Sequence, residues 1–81
     1  MGNPNQTVYN RIKLFRIAAN LSREKLAQRA EVNFQTIGYL ERQEYNPSLT
    51  LALKLAQIFD VSVEDLFSLE PFDSILPTKL N

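Results

Sequence analysis

This chain of 81 residues contains no cysteine and no histidine. The first absence removes disulfides and thiolate metal ligands, and both together remove the side chains most used as nucleophile and base. Glycine is nearly as scarce, with only Gly2 and Gly38, so no glycine-rich loop can cradle a phosphate group. The carboxylate pairs Glu64/Asp65 and Glu41/Glu44 have ordinary structural roles open to them and no nucleophile with its base beside them. No Asp/Asn cluster has calcium-loop spacing. An enzyme, a cofactor and a bound metal are not expected.

Long apolar runs are also missing, so no membrane-spanning segment and no membrane partner are expected. The opening residues 1–6 lack the basic and apolar stretches of a secretion signal, and Gln6 stands where a myristoylation signal wants Ser or Thr. The cytoplasm is the expected compartment, and the two glycosylation-like triplets at Asn5 and Asn20 are read as coincidence. The formal net charge is zero, which argues against indiscriminate binding to nucleic acid. Its distribution is uneven: residues 1–42 sum to +4 and residues 43–81 to −4. A basic half of this kind is an electrostatic footprint for a polyanion.

What the chain does contain is helical periodicity broken by capping residues. Residues 1–8 read as a flexible polar lead. A first helix is predicted over 9–19, with Ile12, Phe15 and Ala19 on one face and Leu14 and Ala18 widening it. Ser22 caps a second helix that runs to Ala30 and buries Leu26, Ala27 and Ala30. After a short turn, Asn33 caps a third over 34–42, with Val32 and Ile37 at hydrophobic-staple spacing and Leu40 inward. Pro47 keeps Asn46 out of helix. Ser48 caps a fourth over 49–59, whose band of Leu49, Ala52, Leu53, Leu55, Ala56 and Phe59 suits a central position. Ser62 caps a fifth over 63–67, with Asp65 placed for a capping box. Residues 69–81 form an apolar tail that packs on the domain or meets a partner. The expected fold is all-α, five helices, in a single domain over 9–68.

The informative unit is 21–42: two short helices joined by a tight turn. Ala27 gives the small side chain that a close crossing needs, and Val32, Ile37 and Leu40 fill the angle between the helices. One face of the third helix then stays outside the core, carrying Phe34, Gln35, Gly38, Tyr39 and Arg42. A helix presented this way fits the major groove of double-stranded DNA.

The stretches "LSREKLAQRAEVNFQTIGYLER", "YNPSLTLALKLAQIF" and "VSVEDLF", in this order and spacing, resemble the phage-repressor (Cro- and Xre-like) helix-turn-helix family over residues 10–67. The resemblance implies a five-helix, lambda-repressor-like domain that regulates transcription, more readily as a repressor than as an activator. It implies base contact by Phe34, Gln35, Gly38 and Tyr39, with Gln35 bridging N6 and N7 of adenine and Gly38 allowing close approach. It implies phosphate contact by Ser22, Arg23, Asn33, Thr36, Arg42, Tyr45 and Asn46, with lesser help from Arg11 and Lys13. Arg16 and Glu41 match positions that form a buried structural pair. The chain departs from the family where glycine is common in the turns: Glu31, Gln43 and Asp60 stand there instead. Asp60 tolerates positive φ, whereas the loops at Glu31 and Gln43 are expected to take another shape. Glu44 stands where the family often has a basic residue, which weakens the phosphate clamp.

One copy of the reading helix buries too little for tight specific binding, so a homodimer on a two-fold operator is expected. Val63, Leu66, Phe67, Leu69 and Phe72 are the candidate dimer patch. Residues 7–9 and 67–69 are β-capable, which allows a short two-stranded ribbon between the lead and the segment after the fifth helix. The competing function is a protein-interaction module, such as an antitoxin or adaptor, using the same fold and binding its partner through the tail.

Overall fold

Four helices begin where a short polar side chain closes the first turn. Ser22 Oγ accepts from the Lys25 N–H at 3.0 Å and Asn33 Oδ1 from Gln35 at 2.8 Å. Ser48 Oγ accepts from Leu51 and Ser62 Oγ from Asp65, both at 3.1 Å. Asp65 accepts in return from the Ser62 N–H at 3.2 Å, which completes a capping box. In the computed structural model, which describes residues 6–72, these caps open α2 (Arg23–Ala30), α3 (Phe34–Glu41), α4 (Leu49–Phe59) and α5 (Val63–Leu66). The lead before Gln6 and the tail positions Ile75, Leu76 and Leu80 lie outside the described residues.

The first helix differs from the sequence expectation. It is α1 (Ile12–Ala18), and Tyr9–Asn10 forms a strand, β1, instead of the first helical turn. β1 pairs antiparallel with β2 (Phe67–Ser68), Tyr9 opposite Ser68 and Asn10 opposite Phe67, so the ribbon closes within one chain. Two groups enforce the change. The Arg11 N–H continues the ladder to the Leu66 carbonyl at 2.9 Å, and Asn10 Oδ1 accepts from the Ile12 N–H at 3.0 Å, starting the helix two residues after the strand. α5 ends at Leu66 because Phe67 is already extended.

The core takes at least one fully buried side chain from every helix: Ile12, Leu26, Ile37, Leu40, Leu55 and Leu66. Each such burial stabilises the fold by about 1.5–3 kcal/mol. Three expectations need correction. Leu66, assigned to a dimer patch, is core. Arg16, four residues after Ile12, takes the next inward position on α1, which turns Leu14, Ala18 and Ala19 outward. On α4 the buried stripe is Leu51, Ala52, Leu55 and Ala56, while Leu49 and Leu53 are 72% and 52% exposed. The band is one stripe wide, and its excess leucines face solvent.

One carboxylate ties three helices together. Glu41, only 2% exposed, accepts from Arg16 Nε on α1 at 2.6 Å and from Arg23 Nε on α2 at 3.0 Å. Arg16 Nη1 also donates to the Leu21 carbonyl at 3.0 Å. Asn10 Nδ2 donates to the Leu40 carbonyl at 2.6 Å and so holds β1 against the end of α3. Among the described residues no buried side-chain polar atom lacks a partner.

The helices end without glycine. Asn20, Glu31, Gln43 and Asp60 all adopt the left-handed conformation, with φ between 57° and 61°. The loops at Glu31 and Gln43 therefore keep the shape that glycine commonly fills, contrary to the expectation of a change. Each end has the same pair of bonds, as in Glu31 N–H to Gln28 and Val32 N–H to Ala27, or Gln43 N–H to Leu40 and Glu44 N–H to Tyr39. For a side chain this backbone costs about 1–2 kcal/mol. At Glu31 a partner offsets the cost: Lys54 Nζ lies 2.9 Å from its carboxylate and 3.5 Å from the Ala30 carbonyl. The hydrogen bond and charge of Lys54 hold the Glu31 carboxyl below its ordinary range.

Three outcomes follow from these ties. Glu41→Gln leaves Arg16 as a buried, unpaired cation and should destabilise the domain by about 3–5 kcal/mol in urea unfolding; a loss under about 1 kcal/mol would show that the pair does not hold the fold. Gln43→Gly relieves the left-handed strain and should stabilise by about 0.5–1 kcal/mol, the αL relief less the entropy of glycine, read as a rise in Tm. The lowered Glu31 carboxyl stabilises the fold above the unfolded carboxylate range, and that contribution is lost as pH falls through the folded value. Lys54→Met should therefore flatten the acid limb of the stability profile, and an unchanged limb would contradict the pairing.

Candidate nucleic-acid interface

Successive residues of α3 turn by about 100°, so the inward residues fix the outward ones. Ile37 and Leu40 are buried and Glu41 points at Arg16 and Arg23. The opposite side carries Gln35, Tyr39 and Arg42, flanked by Phe34 and Gly38. Gln35 is exposed, and Phe34 and Tyr39 are about half exposed despite their size. Ala27 is buried where α2 and α3 pack, and Val32 seals their angle against the core.

The N-terminus of α2 lies beside the start of this face. Arg16, Ser22, Arg23, Glu24 and Phe34 line a shallow, polar hollow of about 330 Å³ there. The first turn of a helix leaves N–H groups without helical partners and carries the positive end of the dipole. Arg23 stands at that end with its side chain 41% exposed and its Nε fixed by Glu41. The exposed arginine and the buried pair thus share one acceptor. Sequence reasoning placed Arg23 and Glu41 in separate roles, because nothing in the spacing of α2 and α3 reveals that they meet.

The remaining sequence-selected residues divide. Asn33 is exposed but its side chain caps α3, Thr36 is half-buried, and Tyr45 is exposed in the loop after α3. Asn46 Nδ2 donates to the Gln6 carbonyl at 3.5 Å and so faces the lead. Arg11 is removed from the site. Its Nε donates to the Asp65 carbonyl at 2.9 Å and its guanidinium stacks 4.4 Å from the Phe72 ring, so it holds the end of α5. Lys13, Lys25 and Arg29 are exposed. Asn10, missed by the sequence reading, sets the height of α3 through Leu40; only a polar residue ahead of a helix hinted at it.

Gly38 and Arg42 depart most from expectation. Gly38 is buried, not open to a ligand. A Cβ built there would lie 3.2 Å from Arg42 Nη1, so the guanidinium of Arg42 is what covers it. The side chain runs back along the helix, 5.4 Å over the Tyr39 ring, and its Nε pairs with Glu44 at 3.3 Å.

On another side, Val8, Phe67, Leu69 and Phe72 line an open hollow of about 540 Å³ with Glu64, Ser68 and Glu70. Val63 and Phe67 are half-buried against the core, and Leu69 is exposed. Among the described residues no helix is long and apolar enough to cross a membrane, and no carboxylate cluster could hold a metal ion.

Comparison with known proteins matches residues 12–66 to the helix-turn-helix family model. An uncharacterised HTH-type transcriptional regulator of Archaeoglobus fulgidus is 49% identical over 57 residues, covering 70% of this chain and 80% of that protein. One from Methanocaldococcus jannaschii is 44% identical over 61 residues, covering 75% and 92%. Among solved structures, the restriction-modification controller protein C.AhdI of Aeromonas hydrophila aligns with a TM-score of 0.63 and 33% identity, over 67% of this chain and 82% of that one. This chain therefore belongs to the Xre/Cro-like helix-turn-helix family of DNA-binding transcriptional regulators, and it is not an enzyme.

Proposed function

We propose that the protein binds a two-fold operator as a homodimer, sets α3 of each copy in a major groove, and represses transcription by occupying the site. The observation that carries this is the outward face of α3, where Gln35, Phe34 and Tyr39 stand in solvent beside the N-terminus of α2. Large aromatics held outside the core suit a surface that is covered on binding. Gln35 bridges an adenine, and Phe34 and Tyr39 meet a thymine methyl, sugar or adjacent base. Ser22 and Arg23 hold the phosphate at the start of α2, and Asn33, Thr36 and Tyr45 flank the groove, while Asn46 is turned toward the lead. Gly38 serves through Arg42, and Arg42 stands apart from the phosphate group because of where its guanidinium lies.

A second copy would dock on the hollow formed by Phe67, Leu69 and Phe72, with Val63 at its side. Half-sites about 34 Å apart then match the two reading helices. Repression needs nothing more than occupancy. A module that bound protein alone would not need Gln35 and Arg23 in solvent beside a helix N-terminus, so the DNA reading is favoured over an adaptor or antitoxin.

Selection from random duplexes near physiological salt, followed by sequencing, tests this. A two-fold site should be enriched. Gln35→Ala should relax preference at one base pair per half-site by about 5- to 150-fold, the equivalent of about 1–3 kcal/mol. Arg23→Ala keeps the Arg16–Glu41 pair and so the fold; it should weaken all sequences alike and flatten the salt dependence. No enrichment, with weak binding to every duplex, would overturn the reading and direct attention to a protein partner.

A further inference from the structure

The side chain of Arg42 is arranged for a task that a phosphate clamp does not need. Gln35 and Arg42 are seven residues apart, which places them at nearly the same angle on α3, two turns and about 10.5 Å apart. Arg42 shortens that gap by folding back. Its Nη1 lies 3.2 Å from where a Cβ of residue 38 would stand, and Gly38 is three residues, or about 4.5 Å of rise, from Gln35. Base pairs follow one another every 3.4 Å or so. The guanidinium therefore lies about one helical turn beyond Gln35 along α3, a rise comparable with one to two base-pair steps.

Its bonding pattern fits base reading. Glu44 engages only Nε, at 3.3 Å, and Cζ lies over the Tyr39 ring, 5.4 Å from its centre. Among the described residues no hydrogen bond engages Nη1 or Nη2. The carboxylate of Glu44 holds the guanidinium by its Nε. Nη1 packs over Gly38, and the Nη groups keep unspent N–H donors of the kind that guanine O6 and N7 accept. Gly38 is the seat: a side chain there would occupy the volume the guanidinium fills.

We propose that Arg42 is a specificity-determining residue that reads a guanine one to two base pairs from the base met by Gln35, with Glu44 and Gly38 holding it in place. This rests on α3 lying in the major groove as proposed above.

The test is the same duplex selection with Arg42→Ala and Glu44→Gln beside the parent, after thermal unfolding has shown that these exposed positions leave the fold intact. The parent should select a guanine at this position. Arg42→Ala should lose that preference by about 5- to 150-fold, keep the preference assigned to Gln35, and leave the salt slope unchanged. Glu44→Gln frees the guanidinium; affinity for all sequences should rise while the guanine preference falls. If Arg42→Ala weakens every sequence by one factor and lowers the salt slope by about 0.9, the residue is a phosphate clamp and the proposal fails. If Glu44→Gln leaves the guanine preference intact, Glu44 does not hold Arg42. A parent that enriches no site overturns the groove reading and this proposal together, whereas an enriched site with uniform loss overturns this proposal alone.

Discussion

The carboxylate of Glu41 is the constraint on which the remainder of the structure depends. Removing a charge from water is costly, and only close partners with good geometry offset the cost. Arg16 and Arg23 supply that geometry from two other helices. The group therefore acts less as a source of net stability than as an alignment key, since other arrangements of α1, α2 and α3 would leave it stranded. The angle between α2 and α3 and the direction in which Arg23 leaves the surface are set together. In this domain the interior and the exposed surface at the start of α2 are not separate regions, because one buried acceptor serves both.

The scarcity of glycine gives the second constraint. The chain ends four helices in a left-handed residue and fills every such position with a side chain. The backbone pattern is so strongly favoured by the two carbonyl bonds at each end that it persists without the residue that suits it best. Local strain is accepted at each of these four ends. Lys54, reaching across from α4, shows how a distant side chain offsets such strain.

What could be read in the sequence was what local chemistry decides. Ser22, Asn33, Ser48 and Ser62 cap helices because a side-chain oxygen needs only the next few N–H groups, and these starts were legible without any tertiary knowledge. The start of α1 was not, since Tyr9 and Asn10 pair with residues almost sixty positions away. The exposure of Leu49 and Leu53 and the burial of Leu66 were equally hidden, because periodicity gives a face but not the direction in which the face points. On the outward face of α3, the exposure of Gln35, Phe34 and Tyr39 followed from the positions of Ile37 and Leu40. The course of Arg42 did not, because a long side chain can extend or fold back, and only Gly38 and Glu44 together decide between the two.

The small ribbon has a further consequence. Tyr9 faces Ser68, and Gln6 Nε2 reaches the Leu69 carbonyl at 3.3 Å, so the described chain leaves the domain where it began. Topologically it is a nearly closed ring, with α2 and α3 in its middle. Joining its ends by a brief linker would restrain the unfolded chain while asking almost no rearrangement of the folded one. A new opening cut in the loop between α3 and α4 would leave α2 and α3 contiguous. In the chain as it stands, a pull applied at Gln6 and Leu69 would unzip two residues of ribbon before it strained a helix.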